Sequence, residues 1–192
     1  MAIISKISVG FVALVPLFVL VGCAVDETKS SGSEIQPSSS TPDPNQQSPD
    51  VGFGAAGAAK DDSLTLDEML TYAIQDEFLA KAQYELAIKE FGTVRPFSNT
   101  INAETQHISL LTALIEQRKT LLPVDDSAKY LTAPTDIKAA LTICADGEVE
   151  NIAMYERFLE QDLPADVRGV FEQLKFASEN HLRAFQNNLS RY

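Results

Sequence analysis

The chain has 192 residues, enough for one domain with extensions, and a formal net charge of −12. Such an acidic balance argues against nucleic acid as a partner, because that binding rests on phosphate neutralisation by Lys and Arg, and it suits the attraction of cations. The only cysteines are Cys23 and Cys144, too few for a disulfide framework.

Residues 1–22 open with Lys6 and continue as an uncharged run from Ile7 to Gly22. That run is shorter than the about 20 residues a membrane-spanning helix needs, and it has the form of the apolar region of a secretory signal. Leu20-Val21-Gly22-Cys23 resembles the lipobox of bacterial lipoproteins. The resemblance implies removal of residues 1–22, lipidation of Cys23, and a protein exported to the cell envelope and lipid-anchored to a membrane. The other readings are an ordinary cleaved signal and a short uncleaved anchor. Residues 23–62 are rich in Ser, Pro, Gln and Gly, with few large apolar side chains and no helical or strand period. Such a stretch buries too little surface to offset its ordering entropy, so it reads as a tether, with the Gly/Ala run at 52–59 as its continuation; the other reading of that run is a short helix over Ala55 to Lys60.

Residues 63–192 show helical periodicity and no strand pattern. Thr65 and Glu68 form a capping box, after which Leu70, Ala73, Glu77, Ala80, Tyr84 and Ile88 recur at helical spacing up to Phe91, with a stop at Gly92. Pro96 suits the first turn of a second helix. Its stripe holds Phe97, Ile101, Glu104, His107, Leu111 and Leu114, and it ends near Lys119. Pro123, Asp125, Asp126 and Pro134 interrupt any helix over residues 120–134. That segment is long enough to cross the length of the bundle, which predicts parallel second and third helices. Thr135 or Asp136 caps the third helix, whose stripe is Ile137, Leu141, Cys144, Glu148, Tyr155 and Leu159. Pro164 begins the fourth, with Phe171, Leu174, Ser178, His181 and Phe185. The fold class is therefore all-α, with four helices.

Glu104 and His107 are three residues apart and share a helix face. Burying a carboxylate and an imidazole unpaired in an apolar stripe is costly. Either a metal ion satisfies both, or the pair lies at the margin of the stripe and reaches water. The halves of the chain bear on this choice. Glu77 precedes Tyr84 by seven residues, as Glu148 precedes Tyr155, and Glu104-x-x-His107 corresponds to Ser178-x-x-His181. The chain is thus a weak duplication of a helix pair, and both of its histidines fall at matching places.

These motifs, together with Phe97-Ser98-Asn99, Asp136-Ile137 and Asn180 through Phe185, resemble the ferritin-like superfamily. The likeness includes the rubrerythrins and, more closely, a ferritin-like family catalogued as a domain of unknown function. The resemblance spans about residues 64–188 and implies a ferritin-like four-helix bundle with a long crossover between helices two and three. It implies a metal site of Glu77, Glu104, His107, Glu148 and His181, with Tyr84, Tyr155 and Ser178 beside it, and iron or peroxide chemistry. Ser178 stands where the di-iron pattern has a fourth carboxylate. The set suits one or two iron ions, with manganese or zinc as alternatives. The competing reading is a metal-free helical binding or scaffold module at the cell envelope. Neither reading specifies a reaction or a protein partner.

Overall fold

The computed structural model describes residues 52–192. The signal segment 1–22, Cys23 and the tether as far as residue 51 lie outside the described residues. Among the described residues there are five helices and no strand: α1 (Gly54–Ala58), α2 (Leu66–Phe91), α3 (Phe97–Arg118), α4 (Ile137–Leu159) and α5 (Ala165–Leu189). None is long and apolar enough to cross a membrane.

Local chemistry sets the boundaries. The Thr65–Glu68 capping box forms in full, so two of the free N–H groups at the start of α2 are satisfied. Gly92 ends α2 with a φ of 82°, a region that costs glycine little. Asp136 caps α4 by accepting a hydrogen bond from the Ala139 amide at 2.7 Å. Pro96 lies just ahead of α3, and Pro164 just ahead of α5.

Side-chain pairs fix the topology. Arg118 at the end of α3 meets Asp166 at the start of α5 at 2.7 Å, and Phe97 packs 5.6 Å from Phe185 at the opposite ends of the same helices. Those two helices are antiparallel. So are α4 and α5, which pair Glu156 with Lys175 and Glu148 with His181. It follows that α3 and α4 run parallel, as the long crossover requires. The crossover passes the middle of α2, where Gln83 donates to the Thr132 carbonyl at 2.8 Å and accepts from the Thr132 amide at 3.0 Å.

The tether reading is corrected at its C-terminal end. Residues 54–58 form α1, which packs on α2 and α4. The Ala55 amide donates to Asp76 at 2.8 Å, and the Arg157 guanidinium reaches the carbonyls of Ala58 and Asp61. Phe53 stacks on Tyr130 of the crossover at 4.4 Å. A Gly/Ala run carries little apolar surface of its own, but its small residues permit close backbone approach. A Cβ at Gly54 would lie 2.5 Å from Asp76 Oδ1.

The interior holds two apolar clusters separated by a polar layer. One cluster includes Leu70, Ile74, Leu111, Ile115, Phe158 and Phe171. The other includes Tyr84, Phe97, Leu141 and Phe185. Along each long helix the polar residues fall between the two. Close packing on both sides fixes the space in which the polar side chains meet.

Candidate metal centre

Each helix delivers its ligand-type residues to this layer by its own periodicity: Glu77 from α2, Glu104 and His107 from α3, Glu148 from α4, His181 from α5. All five are buried, from 1% exposed at Glu77 to 8% at His181. The alternative placement of Glu104 and His107 at a solvent margin is therefore overturned. On α3 the inward stripe runs through Thr100, whereas Ile101 is only half-buried.

The five residues form two groups that share one carboxylate. Glu77, Glu104 and His107 bring ligand atoms within 4.8 Å of one another, and so do Glu104, Glu148 and His181. His107 Nδ1 lies 3.0 Å from Glu77 Oε2 and 2.8 Å from Glu104 Oε2. His181 Nδ1 lies 3.0 Å from Glu104 Oε1 and 3.2 Å from Glu148 Oε1. The two rings stack with centroids 5.8 Å apart.

One ring nitrogen carries at most one proton, and one N–H cannot point straight at two oxygens. Each Nδ1 nevertheless faces two carboxylates. Glu104 Oε1 is buried without a hydrogen-bond partner, although His181 Nδ1 is near. Two buried sets of carboxylate and imidazole groups that share Glu104 could hold a metal ion. Hard oxygen donors with imidazole suit divalent first-row ions, so the residues present fit such a group.

Both tyrosines donate across the bundle. Tyr155 donates to Glu77 Oε1 at 2.7 Å, and Tyr84 donates to Glu148 Oε1. Ser178 faces the same layer and donates to Asn151 Oδ1 at 2.7 Å. The Asn151 amide group in turn donates to Asp76 Oδ2 at 2.7 Å and lies 3.4 Å from Glu77 Oε1. Asp76 and Asn151 were not singled out from sequence. Asn151 had a legible signal: Cys144, Glu148, Asn151 and Tyr155 follow a 4-3-4 spacing, which places them on one stripe.

Charge is finely balanced without an ion. Burial, reinforced by the charge of Glu104, pushes the Glu77 carboxyl up to about 7. Burial does the same to Asp76, also to about 7, against the hydrogen bonds from Ala55 and Asn151. For His107 burial works the other way, but bonding to Glu104 and Glu77 outweighs it and raises the imidazole to about 10. His181 rises to about 9 on the same balance, with Glu104 and Glu148 as partners. Burial also opposes ionisation of Glu104, yet His107 and His181 hold its carboxyl below the usual range. Tyr84 and Tyr155 are raised by burial and by their glutamate partners, so both remain hydrogen-bond donors. Cys144 is buried on α4, and burial, with Glu148 nearby, pushes its thiol up. It is an inert packing group rather than a thiolate nucleophile.

No family model matches the chain. No curated protein matches it either. Among solved structures, the fold is similar to that of the hypothetical protein MJ0754 of Methanococcus jannaschii DSM 2661. The TM-score is 0.60 and the identity 22%, with 69% of this chain and 85% of that one covered. At that identity the likeness concerns the fold alone.

Proposed function

We propose that this protein is a ferritin-like metal-binding lipoprotein, anchored to the membrane of the cell envelope through Cys23, with iron as its principal ion. The observation that carries the metal reading is the shared carboxylate: Glu104 stands between two buried Glu/His sets, its Oε2 2.8 Å from His107 Nδ1 and its Oε1 3.0 Å from His181 Nδ1. The ferritin-like assignment draws on the parallel arrangement of α3 and α4 together with the Glu-x-x-His motif. The anchor draws on Leu20-Val21-Gly22-Cys23 alone.

Within this reading Glu77, Glu104 and His107 would hold one ion, and Glu104, Glu148 and His181 a second. Tyr155 and Tyr84 orient the two outer glutamates, since a bonded carboxylate keeps one rotamer and one ligating edge. Ser178, its hydroxyl hydrogen committed to Asn151, would supply no carboxylate to either ion. The bound iron would supply one-electron chemistry toward peroxide or dioxygen.

The test is stoichiometric. Purified full-length protein, stripped of metal and titrated anaerobically with Fe²⁺, is expected to take up one or two ions per chain and to melt at a higher temperature afterwards. Absence of uptake of Fe²⁺, Mn²⁺ and Zn²⁺, with unchanged melting, would replace this reading by the metal-free envelope module.

A further inference from the structure

Between α2 and α4, beneath α1 and the crossover, lies a cavity of about 510 Å³. Its wall runs from exposed Lys60, Asp146 and Glu150 to buried Asp76, Tyr84 and Glu148. We infer that this cavity is the route by which divalent cations reach the metal centre, with Asp146 and Glu150 as its collecting mouth. The inference rests on the metal reading above and adds to it a direction of loading.

Three observations support it. The inner end of the cavity is Glu148, a member of the Glu104/Glu148/His181 set, whereas Glu77 and His107 are not on its wall. Glu104 and His181 are not on the wall either, so Glu148 is the one candidate ligand that the cavity reaches. The volume is also ample. A divalent ion with six waters, at about 30 Å³ each, needs roughly 180 Å³, so the cavity can hold the ion with its hydration shell. Finally, Asp146 and Glu150 sit four residues apart on one face of α4, and neither is in an ion pair among the described residues. These two acids outnumber Lys60 at the exposed end of the wall, so the opening keeps a net negative charge that draws cations toward the cleft.

Gly147 lines the cavity between these two acids, and a Cβ added there would meet no atom within 4 Å. The position is helical, so a larger side chain raises local helix propensity while obstructing the passage.

The experiment follows Co²⁺ uptake by stopped-flow absorbance in the full-length protein, with equilibrium stoichiometry measured in parallel. The double variant Asp146→Asn/Glu150→Gln is expected to load about tenfold more slowly at low salt, with a weaker dependence on ionic strength and unchanged stoichiometry. Gly147→Phe should slow loading further, again at unchanged stoichiometry. The control Glu116→Gln/Glu172→Gln removes two exposed charges from α3 and α5 and should load at the wild-type rate. If wild-type protein binds Co²⁺ and both mouth variants match its rate, or if the control slows equally, the route is wrong while the metal centre stands. If wild-type protein takes up neither Co²⁺ nor Fe²⁺, Mn²⁺ or Zn²⁺, the metal reading falls and takes the route with it; if it takes up one of the others but not Co²⁺, the same rate comparison is made with that ion. Should Gly147→Phe fail to fold, the surface double variant decides alone.

Discussion

Tyr155 on α4 donates its hydroxyl hydrogen to Glu77 on α2 across 2.7 Å, and Tyr84 on α2 makes the reciprocal bond to Glu148 on α4. Each helix therefore orients the carboxylate of the other. Tyr155→Phe removes one donor without opening a large void. Metal affinity is expected to fall about ten- to a hundredfold, as for other partners that orient a ligating group. The metal-free form should lose about 1–3 kcal/mol, because the buried Glu77 Oε1 keeps only the long contact from Asn151 at 3.4 Å. Chelator competition and denaturant melts check the two numbers, and unchanged affinity would mean that the bond serves packing only.

The shared position of Glu104 separates it from every other residue in the centre. His107→Ala dismantles one set and leaves Glu104, Glu148 and His181 intact. Its ion stoichiometry should drop by one from a wild type that binds two. Glu104→Gln strikes both sets and should abolish tight binding altogether, while the helical circular dichroism persists. Calorimetry distinguishes these patterns. Equal losses from both substitutions would show that the ions do not share Glu104, or that only one binds.

Much of this architecture was readable because it follows from periodicity. The stripes through Leu70, Ala73, Glu77 and Tyr84 and through Phe171, Leu174, Ser178, His181 and Phe185 are buried as their spacing predicts. The duplication placed both histidines in one layer. The helix α1 was legible only as the alternative to a tether, because its Gly/Ala run has no large side chain to show a period. What holds it is supplied from elsewhere in the chain, by Asp76 and Arg157. Asp76 escaped notice for a related reason: it lies beside Glu77 and turns toward α1 and Asn151, contacts no one-dimensional pattern records.

Ser178 invites the substitution that would complete the di-metal pattern, and its hydrogen bonding complicates the result. Its hydroxyl donates to Asn151, which donates onward to Asp76. A glutamate at 178 is larger than serine and, when ionised, offers no donor to Asn151 Oδ1. Ser178→Glu should therefore lower metal-free stability by about 1–3 kcal/mol. With an ion present the new carboxylate gains a partner, so the melting-temperature rise on adding metal should exceed that of wild type. Paired melts with and without Zn²⁺ read both effects, and a smaller metal-induced rise would show that residue 178 does not reach the ions.

The protonation states give the centre a pH signature. Glu77 is raised from 4.5 to about 7 and Asp76 from 3.8 to about 7. His107 is raised from 6.5 to about 10, and His181 from 6.5 to about 9. In all four the folded chain holds its proton more tightly than the unfolded chain, so stability falls as pH rises through each window. The carboxyl contributions are lost up to about neutrality, and the imidazole contributions are lost between about 6.5 and 10. Glu104 is lowered and has the opposite sign, which matters only at the acid end. The metal-free protein should therefore melt at progressively lower temperatures from about pH 5.5 to pH 8.5. A bound ion requires the same groups deprotonated, so its affinity grows with pH and its stabilisation grows with it. The melting curves with and without Zn²⁺ should diverge as pH rises. Curves that stay parallel would show that these residues do not exchange protons for metal.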